Sequence, residues 1–205
     1  MRTWSRGWGV TKAIGLGIVL VLGAVWIASE GGETGVRALI RASARISVTL
    51  FLLTFTASSF WRLWATPASA WLVRNRRAIG ISFAFSHGLH LVAVTALAVG
   101  WPDPFFESRS LGRILGGALA YVFIALMALT SFDRSAAWLG RRRWTNLHWA
   151  GSQYIWLLFF LAYSGRASQA VGYAAILAAL VGAMGLRLIS PFIAHKAPVR
   201  GTATR

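Results

Sequence analysis

Three histidines carry the chemistry that this 205-residue chain offers. His87 and His90 sit in "FAFSHGLHLVAV", a stretch apolar enough to lie inside a membrane. A spacing of three places both on one face of a helix. Counted from Arg77, they lie ten and thirteen residues in, which at 1.5 Å per residue is roughly 15 and 20 Å of depth. His148 opens a second such stretch, "NLHWAGSQYIWLLFF", only five residues after Arg143. An imidazole buried without a partner costs about 2–7 kcal/mol, so each ring must find one. One reading gives each ring a neighbouring hydroxyl or carbonyl. The other uses neutral imidazole as an axial ligand to haem iron, where two such ligands on neighbouring transmembrane helices make an electron-transferring centre. The small residues Gly151 and Ser152, one turn after His148, are expected to leave room for something flat. The fourth histidine, His195, falls in a basic tail and is expected to be solvated.

Other chemistries are excluded or disfavoured. There is no cysteine, which removes disulfides, iron–sulfur clusters and thiolate metal sites. A proton relay lacks acids at the right depth, because Glu30, Glu33, Asp103, Glu107 and Asp133 all stand at loop edges.

The elements that must hold these histidines are transmembrane helices. The chain is 57% hydrophobic with a mean hydropathy of +0.60 and 13% charged residues, outside the composition of soluble domains. About 20 apolar residues cross a bilayer as a helix. Six stretches meet that need: 11–29, 45–65, 78–100, 111–130, 146–164 and 170–189. "EGGETG", "TPASA", "GWPDPFFES", "DRSAAWLGRRRW" and "SGRAS" separate them, as Pro, Gly and charge do at boundaries. If the stretches alternate across the bilayer, one side collects 15 basic residues and one acid, and the other six basic residues and four acids. The positive-inside rule then puts both termini in the cytoplasm. The net charge of +16 is thereby a topology signal that needs no nucleic-acid partner. The first stretch is read as a retained span, because "AVWIASEGG" is a poor cleavage site. The expected fold is all-α: a six-helix transmembrane bundle forming one domain over residues 1–205, with no soluble domain for a nucleotide or flavin. Gly112 and Gly116 are expected to let helices approach closely. Arg37, Arg41 and Arg45 form an interfacial stripe that snorkels or meets an anionic group.

Two blocks carry a resemblance. "RRAIGISFAFSHGLH" resembles the third helix of ferric reductase-like transmembrane proteins, with closest similarity to the haem-binding MsrQ/YedZ branch; the matching residues are Arg76, Arg77, Ile79, Gly80 and His90. "TSFDRSAAWLGRRRWTNLH" resembles that family's fourth-to-fifth connection through Thr130, Ser131, Leu139, Gly140, Arg142, Trp144, Leu147 and His148. The likeness covers about residues 40–165. It implies b-type haem and electron transfer within or across the membrane, with His90 and His148 as axial ligand candidates. Two-haem relatives carry a further histidine thirteen residues after the second; here Leu161 stands there. Three arrangements stay open: His90 or His87 meeting His148 on one iron, two haems with one histidine each, or His87 hydrogen-bonding instead of ligating. One bis-histidine haem is the favoured expectation. Arg76, Arg77, Arg142 and Arg143 are candidates to hold its propionates.

The expected function is that of a membrane oxidoreductase component in a bacterial inner membrane. It takes electrons from a quinol or a separate flavoprotein reductase and passes them to a partner at the outer face; a quinone is a further candidate ligand. The competing expectation is a non-catalytic membrane subunit that packs in a larger complex.

Overall fold

The computed structural model describes residues 2–107 and 110–194; His195 lies outside them. All regular structure among these residues is helical: α1 (Arg2–Ala28), α2 (Gly32–Leu63), α3 (Pro67–Gly100), α4 (Pro102–Glu107), α5 (Leu111–Leu129), α6 (Asp133–Leu139), α7 (Arg141–Ser164) and α8 (Val171–Ala194).

Local chemistry sets the boundaries. Glu30, Gly31 and Gly32 take positive φ and turn the chain from α1 into α2, a conformation two glycines adopt at no steric cost. "TPASA" is a start signal more than a spacer. The Thr66 hydroxyl accepts from the Ser69 amide at 3.2 Å and the Ser69 hydroxyl accepts from the Thr66 amide at 3.0 Å, with Pro67 in the first helical position. This reciprocal cap starts α3 eleven residues before the expected span at 78. The connections "GWPDPFFES" and "DRSAAWLGRRRW" are likewise partly helical, as α4 and α6.

α2 and α3 form an antiparallel spine. Ser43 meets His90 and Ser47 meets Ser86, so a step of four along α2 is matched by a step of four back along α3. These serines are fully buried, and small polar side chains let transmembrane backbones approach and bond across the interface. α1 lies along α3, with Gly15 against Phe85 and the Thr11 hydroxyl near the Ala78 carbonyl. α8 runs parallel to α2, with Arg187 beside Phe55 and Ser190 bonded to Ser59. α7 runs antiparallel to α8, through Trp156–Leu180 and Tyr163–Tyr173, and antiparallel to α5. Phe51, Phe55, Phe83 and Phe159 meet in the centre with Val48, Ile79, Ile155 and Leu180. A second cluster of Val36, Leu97 and Phe105 closes the end of the bundle where α2 begins.

Five helices among the described residues are long and apolar enough to cross a membrane: Gly7–Ala28, Gly32–Leu63, Pro67–Gly100, Leu111–Leu129 and Val171–Ile193. The stretch expected at 146–164 does form a 24-residue helix, α7. It is absent from that group because His148, Gln153 and Tyr154 make its first half polar.

Candidate functional site

The α3 histidines face the bundle interior. His87 and His90 stack with ring centroids 5.1 Å apart and 23° between planes. His87 also touches Tyr121 of α5 at 5.0 Å and meets Phe159 of α7 edge-on at 5.8 Å. Its Nδ1 is buried and has no hydrogen-bond partner. A buried polar nitrogen left unmade is costly, and it marks this point of the bundle as incomplete on packing grounds alone.

His90 is held more firmly. Its Nδ1 lies 3.0 Å from the Ser43 hydroxyl oxygen. That hydroxyl has one proton, which it donates to the Leu39 carbonyl at 2.6 Å. The oxygen therefore accepts from Nδ1–H, which leaves the imidazole lone pair on Nε2, the tautomer that suits a metal ligand oriented by an outer hydrogen bond. Ser43→Ala removes this anchor. Where His90 ligates a metal, affinity is expected to fall about 10–100-fold with the helical fold retained. Titration of the detergent-solubilised apoprotein with haem, followed optically, measures it.

His148 is placed differently. The Thr130 hydroxyl donates to the Leu126 carbonyl at 2.7 Å and so accepts from His148 Nε2–H at 3.1 Å. Trp144 stacks on the ring at 4.2 Å and donates its indole N–H to the Thr130 carbonyl at 2.9 Å. His148 thus clamps α7 to the end of α5, with its lone pair on Nδ1.

Two rulers give the separation. On α5, His87 meets Tyr121 and His148 meets Thr130, nine residues apart. On α7, His87 meets Phe159, eleven residues after His148. At 1.5 Å per residue these place His148 about 14–16 Å from His87 along the bundle, and His90 about a turn further still. Axial nitrogens on one iron face each other across it at a few ångströms. One iron shared by His90 and His148 is therefore not offered by this packing, because α3 and α7 run parallel in a register that keeps their depth difference. His87 and His90, stacked on one helix, cannot sandwich a porphyrin either. At the His87 level α7 contributes Phe159, while Leu161 is exposed.

The space expected beside Gly151 is also taken. A Cβ there would lie 2.8 Å from Met127 Sδ and 3.2 Å from Phe123 Cδ1, so the glycine serves close packing of α5 on α7. Of the Gly112–Gly116 pair, only Gly116 is used. Tyr154 Oη donates to its carbonyl at 3.0 Å, while a Cβ on Gly112 would meet nothing.

The arginines gather at the His148 end. Arg77 bonds Asp133 at 2.7 Å and Arg76 bonds Ser58 at 3.2 Å; Arg142 and Arg143 are exposed in the first turn of α7. Arg76 and Arg77 lie more than ten residues from His90 along α3, and Arg142 and Arg143 lie within six residues of His148 on α7, so all four are placed nearer His148 than His90. Of the other stripe, Arg37 pairs with Glu33 and Arg45 lies over the Tyr173 ring.

His90 Nε2 and the unsatisfied His87 Nδ1 are thus the candidate atoms that the described residues offer a haem at one level. Ser43 and Tyr121 complete the setting and escaped the reading of the sequence, while Thr130 entered it only through the resemblance and Phe159 supplies a facing ring. The serine spacing of four in both α2 and α3 was the available signal.

Three curated relatives resemble the chain, each bearing the name protein-methionine-sulfoxide reductase heme-binding subunit MsrQ. That of Polaromonas naphthalenivorans (strain CJ2) is 28% identical over 171 residues, covering 78% of this chain and 74% of the relative. That of Azospira oryzae is 29% identical over 167 residues, covering 74% and 66%. That of Cronobacter sakazakii is 32% identical over 124 residues, 58% of each. No family model and no solved structure matches the chain.

Proposed function

The chain belongs to the MsrQ/YedZ-like family, and from that premise we propose that it is the haem-binding membrane subunit of a protein-methionine-sulfoxide reductase system, a single domain that carries electrons through the bilayer. The observation that carries this reading is His90, half-buried against the spine of the bundle with its Nδ1 fixed by Ser43. In this reading His90 would hold a b-type haem through Nε2, with His87 stacked beside it on the same face of α3. The haem supplies one-electron chemistry when bound. Phe51, Phe83 and Phe159 keep water from its surroundings. His148 with Arg76, Arg77, Arg142 and Arg143 forms a separate station at the end of the bundle that the charge count assigns to the cytoplasm. Electrons enter there from a quinol or a separate flavoprotein and leave toward a partner beyond the opposite face. Both termini are cytoplasmic, and the membrane is the bacterial inner membrane.

A second reading has one observation in its favour. Phenyl rings fill the centre between α3 and α7, and Phe123 and Met127 close the space beside Gly151. A haemless subunit that packs against a larger complex would look like this. One experiment separates the two. Protein produced with haem supply and purified is assayed as its pyridine haemochrome. A b-type spectrum at about one haem per chain is expected; a colourless protein that still co-purifies with a stable complex establishes the second reading instead.

A further inference from the structure

Arg187 lies inside α8, seven residues before its last residue, which at 1.5 Å per residue is about 10 Å from the helix end. A guanidinium has five N–H donors. Among the described residues, Arg187 reaches one acceptor, the Phe55 carbonyl at 3.5 Å, and lies over the Phe55 ring at 4.4 Å. Two more cations are near enough to repel it: Arg62 of α2 and Arg76 of α3. Phe55, Ser58, Ser59 and Arg62 share one face of α2, since they stand at i, i+3, i+4 and i+7. Arg76 bonds Ser58 at 3.2 Å and Ser190, three residues after Arg187, bonds Ser59 at 3.1 Å. Three helices thus bring three arginines to one face.

Among the described residues, no carboxylate answers them. Asp133 pairs with Arg77, and Glu33 with Arg37. Glu30, Asp103 and Glu107 belong to connections at the other end of the bundle, where Val36, Leu97 and Phe105 cluster. An intramembrane cation without a protein counter-ion marks a site whose partner comes from elsewhere.

Beside this face an open groove of about 500 Å³ runs between α2 and α8, lined by Leu63, Trp64, Gly182, Gly185, Ile189 and Ile193. Side chains added at Gly182 or Gly185 would meet nothing within 4 Å, so the two glycines leave it open. The trough's Leu63 follows Arg62 and its Leu186 precedes Arg187, so an apolar groove beside uncompensated arginines matches the two parts of one molecule, an acyl chain and an anionic phosphate.

We propose that Arg62, Arg76 and Arg187 with the Gly182–Gly185 groove form a binding site for one anionic phospholipid, whose headgroup phosphate takes the guanidinium donors and whose acyl chain fills the groove. Basic pockets between transmembrane helices on the cytoplasmic side are a known mode of such recognition. Arg76 is shared with the His148 station; Arg62, Arg187 and the groove lie outside it, so the variants at those positions test the site separately from haem binding.

The test uses the full chain, purified in a non-ionic detergent from membranes containing phosphatidylethanolamine, phosphatidylglycerol and cardiolipin. Retained lipid is counted by extraction and mass spectrometry. Phosphatidylglycerol or cardiolipin is expected to be enriched over phosphatidylethanolamine. Arg62→Gln and Arg187→Gln each lower that enrichment about fivefold, and Arg187→Lys keeps most of it. Gly185→Leu fills the groove and lowers retention with every charge in place. Added phosphatidylglycerol raises the unfolding temperature of delipidated protein, and inorganic phosphate does not. Equal retention of the zwitterionic lipid overturns the site, as does stabilisation by inorganic phosphate equal to that by lipid. A loss of haem with unchanged lipid in the two glutamine variants also overturns it. Because Arg62 is exposed, its variant folds and keeps the test decisive if Arg187→Gln does not.

Discussion

His90→Ala is expected to lower haem affinity about 100-fold or more, beyond the 10–100-fold reached by losing an outer-shell partner alone. The Soret band of the purified protein falls to a small fraction of the wild-type height, while far-ultraviolet circular dichroism stays helical. The substitution deletes the one imidazole whose lone pair is fixed on Nε2 by a bond to a buried serine. His148→Ala has a different outcome. It releases the Thr130 clamp at the end of α5 and α7, about four turns from His90, and leaves the His90 haem in place. Counting haem per chain in both single variants and the double variant checks the separation. Equal, complete loss in both singles would mean that the two histidines share one iron, against the register of α3 and α7. A double variant that loses no more haem than His90→Ala alone is what this register requires.

Gly151→Leu has the largest expected effect on the fold itself. The first atom of the new side chain already comes within 2.8 Å of Met127 Sδ and 3.2 Å of Phe123 Cδ1. Met127 can swing its thioether aside, so Gly151→Ala costs little. A leucine cannot be housed without moving α5 off α7, and overpacking of this kind costs about 1–3 kcal/mol or more. The same movement strains the Tyr154–Gly116 and Trp144–Thr130 bonds, both between these helices. A lowered unfolding temperature in detergent, with faster proteolysis in the α6 connection, is the expected result. Gly112→Ala is the control, because a Cβ there meets nothing; its unfolding temperature stays at the wild-type value.

The two predictions separate what could be read along the chain from what could not. Hydropathy and charge are local quantities, so the spans of α1, α2, α3, α5 and α8 were legible. The stretch at 146–164 was legible as the helix α7, though its polar first half keeps it out of the five helices apolar enough to cross a membrane. The depth difference between His90 and His148 was also visible, since helical rise converts residue number directly into distance. The starts of α2 and α3 were misplaced by about a dozen residues. Arg37 and Arg41, read as a stripe leading into the second span, do lie in α2, and the helix reaches further back to Glu33, which Arg37 bonds one turn away.

The choice of partners was not legible. Nothing near His90 in sequence names Ser43, forty-seven residues away, and the small residues after His148 looked like open space until Phe123 and Met127 filled it. The sequence by itself determined that this is a helical membrane protein with two imidazoles on one face of α3 and a third nearer the basic end. It did so because a 3.6-residue period and a hydropathy run are properties of each segment alone. Only the tertiary structure decided which nitrogen of each histidine carries the proton, which rings close the centre and which arginines converge on α8. Those follow from how each helix is rotated and shifted against its neighbours, which is set by serine and glycine contacts between segments far apart in the chain.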